Sequence, residues 1–327
     1  MRLLVFGGTQ FVGRHIVDAS LRAGHQVTLF HRGTTNPGLF PEAEEILGDR
    51  DGGLAPLEKG RWDAVIDVNG YVPRLARDSV RALTGRAEAY TYISTLSVLA
   101  DYSIPHQDER APRAPFEGVD TEEITAKSYG PLKAACEAVV EREWPGRALV
   151  VRPGYVVGPW DHTGRFPSWV RRVSQGGEML APGRPGAPAQ FIDGRDLAAF
   201  VVRATQEGRS GTFHATGPRD GMDWGRLLGE MKRVTGSDAD FVWVPEEFLA
   251  ELTLPPGSFP MWTPSSYDGL ERTSIAKGLE AGLVFRPLAE TIRDTFEWDR
   301  EHGRHDVGLS AEREREVLEA WKSRQPA

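Results

Sequence analysis

Cysteine is almost missing from this chain: Cys136 is the only one in 327 residues. An internal disulfide is excluded, and a reducing compartment, the cytoplasm, is the expected setting. Long apolar runs are missing too. No uncharged stretch approaches the ~20 residues a membrane span needs, and the N-terminal apolar run breaks at Gly7, so neither a span nor a signal peptide is expected. Positive charge is in deficit, with 39 basic against 47 acidic residues and a net charge of −8. That balance speaks against a nucleic-acid backbone as the main partner. Clustered metal ligands are lacking as well: His302 and His305 stand three apart with no Cys or carboxylate cluster at ligand spacing, so no metal is expected.

What the chain does have begins at once. Residues 2–6 are a short apolar run suited to a buried strand, followed by the turn Gly7-Gly8-Thr9-Gln10-Phe11-Val12-Gly13 and then by apolar positions at helical spacing. A strand, a tight glycine turn and a helix bring backbone N–H groups close to an anion, and a dinucleotide pyrophosphate is the natural occupant. Gly7 and Gly13 hold the first and last glycine positions of the dinucleotide fingerprint, while Gln10 replaces the middle one. A side chain there must point away from the phosphates or crowd them. The second strand, expected at 25–30, runs into His31-Arg32-Gly33, where an NAD-selective site would carry an acid. A guanidinium suits a 2′-phosphate, so Arg32, helped by Thr34, tilts the expected cofactor from NAD to NADP.

Further strands are expected at 45–47, ending at Gly48-Asp49, at 63–68, ending at Asn69, and at 90–94. Strands alternating with crossovers predict an α/β fold, a Rossmann-like doubly wound parallel sheet that binds ligands at the carboxyl ends of its strands. Residues 101–128 are long, acidic and dotted with proline, and are expected to form a lid. Tyr129-Gly130-Pro131-Leu132-Lys133 then opens a helix, and the spacing of four puts phenol and ammonium on one face. A phenol titrating near 10 is a poor acid–base catalyst at neutral pH. Moving it to about 7 takes roughly 4 kcal/mol, which a close ammonium and a nicotinamide charge could supply together. Thr95, at the end of the fifth strand, could share a substrate oxygen with Tyr129, while Lys133 steadies the phenolate and the cofactor ribose.

With these motifs in place, the chain resembles the extended, or atypical, short-chain dehydrogenases/reductases of the NAD-dependent epimerase/dehydratase group, over nearly its whole length. GGTQFVG resembles the cofactor turn, LFHRG the second strand end, GDRD the adenine-side acid, ISTLSV the catalytic strand, YGPLK the Tyr-Lys pair and VVRPGYVVGP the motif beside the nicotinamide. The resemblance implies that Thr95, Tyr129 and Lys133 are catalytic. It also implies that the turn residues Gly7, Thr9, Gln10, Phe11, Val12 and Gly13, with Arg32, Asp49, Asn69 and Pro153, hold the cofactor. Leu96 and Ser97 stand where the dehydratases of the group carry an Asp-Glu pair, which argues against dehydration.

The expected organisation is a dinucleotide-binding domain over 1–158, to which 189–205 return, and a smaller C-terminal substrate lobe over 159–327. In that second part a helix is expected at 166–177, an exposed turn-rich connection at 179–188, and a helix capped by Asp193. A strand at 212–215, helices at 224–234 and 287–298, and a docking helix after Ser310 complete it. Trp160, His162, Arg165, Arg184, Trp262 and Arg286 are candidates to line the substrate pocket, and an arginine cluster would suit a diphosphate. Cys136 is expected in the core. The expected activity is reversible hydride transfer on a small molecule, with reductase favoured. A nucleotide-sugar epimerase using bound NAD and a non-catalytic RNA-binding relative are the alternatives, and a homodimer is the expected form if subunits pair.

Overall fold

The computed structural model describes residues 1–116, 121–255, 257–302 and 307–324. In chain order its strands are β1 (Arg2–Phe6), β2 (Gln26–His31), β3 (Glu44–Leu47), β4 (Trp62–Asp67), β5 (Ala87–Ile93), β6 (Ala148–Pro153), β7 (Tyr155–Val157), β8 (Glu178–Pro182), β9 (Phe191–Asp193), β10 (Gly211–Ala215) and β11 (Asp240–Val244). The helices are α1 (Phe11–Arg22), α2 (Pro73–Ala82), α3 (Tyr129–Glu143), α4 (Arg165–Ser174), α5 (Gly194–Gln206), α6 (Trp224–Thr235), α7 (Glu246–Glu251), α8 (Ala276–Glu280), α9 (Leu288–His302) and α10 (Ala311–Lys322).

Seven strands form one parallel sheet in the order β10-β6-β5-β4-β1-β2-β3. The order reverses between β1 and β4, and such a switch point opens a crevice at the carboxyl ends of the strands. The central strands read as nearly unbroken apolar runs because both faces are covered. Leu3, Val5, Leu29, Ile66 and Val151 pack under α1 and α5 on one side. Leu4, Phe6, Val65, Tyr90 and Val150 pack under α2 and α3 on the other. A further core joins α4, α6 and α9 through Phe166, Trp169, Leu227, Met231 and Ile292.

Asp193 accepts the Arg195 N–H at 2.8 Å and so caps α5, as its position suggests, and Thr291 and Arg286 tie the same carboxylate to the start of α9. The helix after Ser310 also docks: Arg172 meets Glu314 at 2.7 Å, and Val317 and Leu318 pack against Phe248 and Leu249. Cys136 is buried in the sheet core, where burial pushes its thiol to about 11.

Two expectations are corrected. Residues 178–182 are not an exposed connection but strand β8, buried from Met179 to Pro182 and paired in parallel with β11. Local sequence cannot show this, because the partner strand lies some sixty residues further on. Of the lid expected over 101–128, the part up to 114 is not free either, and residues 99–114 are tied down. They return along the tip of β5 through Ala100 N–H to Pro112 O and Ala114 N–H to Val98 O, and then fasten the 270–274 segment. There Leu270, His106 and Ser274 N–H groups bond to Tyr102, Arg272 and Gln107 carbonyls, respectively. Positions 117–120 of the expected lid, and His305, lie outside the described residues. No helix among the described residues is long and apolar enough to cross a membrane.

Candidate active site

The crevice at the switch point is a cavity of about 610 Å³. Its floor at one end is the turn after β1. Gly7 and Gly8 lie at φ +92 and +101, the left-handed region that side chains disfavour. A Cβ on Gly13 would sit 2.8 Å from the Gly8 nitrogen, so only glycine lets α1 close on the turn. Gln10 occupies the N-cap position of α1, exposed and in extended conformation, and no side chain caps the helix start. The replacement of the middle glycine therefore leaves the anion-attracting helix end open. Thr9, Phe11 and Val12 also line the cavity. Asn36, which sequence reasoning passed over, donates to the Thr9 carbonyl at 2.8 Å and closes the loop after β2 over the turn.

Arg32 and Thr34 line the same cavity at the tip of β2, Asp49 at the loop after β3, and Asn69 beyond β4. Beneath Asn69 lies a group that the sequence did not reveal. Arg50 makes a two-pronged ion pair with the fully buried Asp67 at 2.6 and 3.0 Å and donates to Asn69 Oδ1 at 3.1 Å, and the Tyr90 hydroxyl donates to Asp67 at 2.7 Å. Arg50 was legible only as part of the GDRD motif, since the partner carboxylate arrives from a different strand.

At the other end, Thr95, Tyr129, Lys133 and Pro153 face the cavity together. The helix that carries the Tyr-Lys pair is fixed to the sheet by a buried pair, Arg152 on β6 gripping Glu137 on α3 at 2.9 and 2.7 Å. Lys133 is 1% exposed and donates to the carbonyls of Gly70 and Ile93 at 2.8 and 2.7 Å. An ammonium has three donors, so one remains. Burial lowers its pKa to about 8.

Lys133 is not among the main influences on the Tyr129 phenol. Burial, then the neighbouring Tyr71 ring at 6.4 Å, push the phenol up to about 12. The influences that pull it down are the hydrogen bond with Thr95 and the charge of Arg165. Lys133 is instead occupied by strand-end carbonyls, which a spacing of four along a helix cannot reveal.

Of the six substrate-side candidates, His162 and Arg165 line the cavity. Arg184 pairs with Asp268, Arg286 with Asp196 and Glu290, and Trp160 stacks under Arg14 at 3.3 Å. Trp262 lines a second cavity. Of the three arginines suited to a diphosphate, Arg184 and Arg286 are therefore held by carboxylates, and Arg165 lines the cavity. Sequence reasoning also missed Glu271, buried at the cavity wall, where it accepts the Gln190 N–H at 2.8 Å. Burial, reinforced by Asp268, raises its carboxyl to about 8. A carboxyl whose folded pKa exceeds its unfolded one favours folding most at low pH and loses that advantage as pH rises from about 4.5 toward 8. Glu271→Gln is expected to remove about 2 kcal/mol of the stability lost between pH 5 and 7, read as the difference between urea unfolding of the two proteins at each pH. An identical pH dependence would contradict the burial of this carboxyl.

The fold that this site sits in is the doubly wound α/β architecture of dinucleotide-binding proteins. No family model matches the chain. It is 25% identical over 245 residues to the chloroplast stem-loop binding protein of 41 kDa b from Arabidopsis thaliana, a match covering 67% of this chain and 59% of that protein, under two thirds of its length. It is 26% identical over 266 residues to 2'-dehydrokanamycin reductase from Streptomyces kanamyceticus, covering 77% and 71%. The UDP-glucose 4-epimerase of Thermus thermophilus, solved in complex with NAD, superposes with a TM-score of 0.65 at 19% identity over 93% of this chain and 100% of that one. In fold the chain resembles the NAD-dependent epimerases among solved structures, as its motifs suggest, and its curated relatives include reductases.

Proposed function

We propose that the protein is a nicotinamide-dinucleotide-dependent oxidoreductase that carries out reversible hydride transfer at a carbinol or carbonyl carbon, working as a reductase with NADPH. One observation carries this reading: a single crevice joins an uncapped helix start behind a glycine turn to Thr95, Tyr129 and Lys133 at its far end. Gly7, Thr9, Gln10, Phe11, Val12 and Gly13 would cradle the pyrophosphate, Asp49 and Asn69 the adenosine side, and Pro153 the nicotinamide side. The cofactor supplies the hydride. Thr95 orients the substrate oxygen, Tyr129 gives or takes its proton, and the remaining donor of Lys133 reaches a ribose hydroxyl or the phenol. A phenol titrating near 12 is protonated throughout the neutral range, which suits proton donation in the reductive direction.

Arg32 is exposed, and no acidic residue precedes it at the tip of β2. A charge-assisted bond to a 2′-phosphate is worth about 1.5–3 kcal/mol, roughly 10- to 150-fold in affinity. Arg32→Ala should weaken NADPH binding by that factor and leave NADH binding nearly unchanged, measured by titration of nucleotide fluorescence. Equal loss for both nucleotides would remove the assignment to NADP. Absence of binding to either, together with salt-sensitive RNA binding, would favour a non-catalytic reading.

A further inference from the structure

A second cavity of about 780 Å³ adjoins the first, and the two share Tyr155 and Arg165 as their common wall. Past that neck the surfaces differ. The second cavity is walled by Leu249, Ala250, Phe259, Met261 and Trp262, with the carboxylates Glu246 and Glu247 beside them. Arg165 is the one arginine or lysine that lines it among the described residues. Glu246 is held by Ser265, whose N–H donates to it at 2.7 Å, so it stays on that side as a fixed carboxylate. A nucleoside diphosphate in this cavity would meet two carboxylates and a single guanidinium, with Arg184 and Arg286 already engaged elsewhere.

Resting on the oxidoreductase reading above, we propose that the substrate is an uncharged, largely apolar alcohol or ketone. Its reacting carbon lies by Thr95 and Tyr129, and its body runs along the stacked pair of Tyr155 and Arg165, which line both cavities, into the second cavity. Tyr155, half-buried where the two cavities meet, gives the neck a hydroxyl that a single oxygen can satisfy, and the apolar walls beyond reward chain length and not charge. Each methylene moved from water to such a wall is worth about fourfold in affinity.

The test uses the full chain saturated with NADPH and the uncharged dye Nile red as reporter of the apolar cavity. Displacement by 2-alkanones of about four to ten carbons should tighten by about threefold to fourfold per methylene, and UDP-glucose at millimolar concentration should displace nothing and bind undetectably by calorimetry. Ala250→Trp changes an exposed position of α7, so the fold is spared; it should abolish dye binding and flatten the series, with NADPH affinity unchanged. Micromolar UDP-glucose binding, a series without slope, or an Ala250→Trp protein that behaves like the parent would overturn the proposal. Loss of NADPH binding in the parent protein is a separate result: it sinks the oxidoreductase reading, while the dye series, run without nucleotide, still reports on the cavity.

Discussion

Replacing Tyr129 with phenylalanine is expected to lower the rate of NADPH oxidation on any carbonyl compound the parent protein reduces by about 10²–10⁴-fold, the usual contribution of a positioned general acid. The ring stays, so the packing against Tyr71 stays, and NADPH affinity should change by less than about threefold. The pH profile separates a chemical role from a structural one. With the phenol at about 12 and the Lys133 ammonium at about 8, reduction should hold steady through neutrality and fall as Lys133 loses its proton near pH 8. Oxidation, which needs the phenol deprotonated, should climb with pH over the same range. A phenylalanine protein with parental rates would end the assignment of Tyr129 as acid.

The second large effect concerns stability. Asp67 is fully buried and paired with Arg50, which is 9% exposed. Taking both charges from water is costly, and Tyr90 and Asn69 offset part of that cost with further hydrogen bonds, while Arg50 Nε is left without a partner. Asp67→Asn leaves the guanidinium buried without a counter-charge, which should cost about 3–5 kcal/mol in urea or thermal unfolding. Arg50→Met combined with Asp67→Leu should recover part of that loss, since no charge is stranded, though the Tyr90 hydroxyl then lacks its acceptor. NADPH binding should weaken in the double variant, where Asn69 loses the Arg50 donor. If the single variant were as stable as the parent, the pair would contribute nothing to folding.

These contrasts explain which parts of the molecule its sequence discloses. β1, β2, β4 and β5 are legible because a parallel strand covered on both faces must be apolar along its length, and the first glycine turn because backbone geometry demands it. Tyr129 and Lys133 are legible as a pair because helical spacing puts them on one face. Their electrostatics are not, because the carbonyls of Gly70 and Ile93 and the charge of Arg165 come from other elements. Glu271 and Asp67 look like ordinary acids until the chain folds over them. Arg184 and Arg286 look like phosphate ligands for the converse reason: their partners Asp268 and Asp196 are found only in three dimensions.

The segment that leaves the tip of β5 and hydrogen-bonds to the 270–274 stretch makes Thr95 and the wall formed by Leu270 and Glu271 parts of one splint. Transplanting the region after β6 from a relative, in order to change what the crevice accepts, would therefore carry a mismatch unless residues 99–114 travelled with it. Selectivity in this scaffold is inherited as two separate stretches of sequence, and a chimera cut at a single junction inherits only half of it.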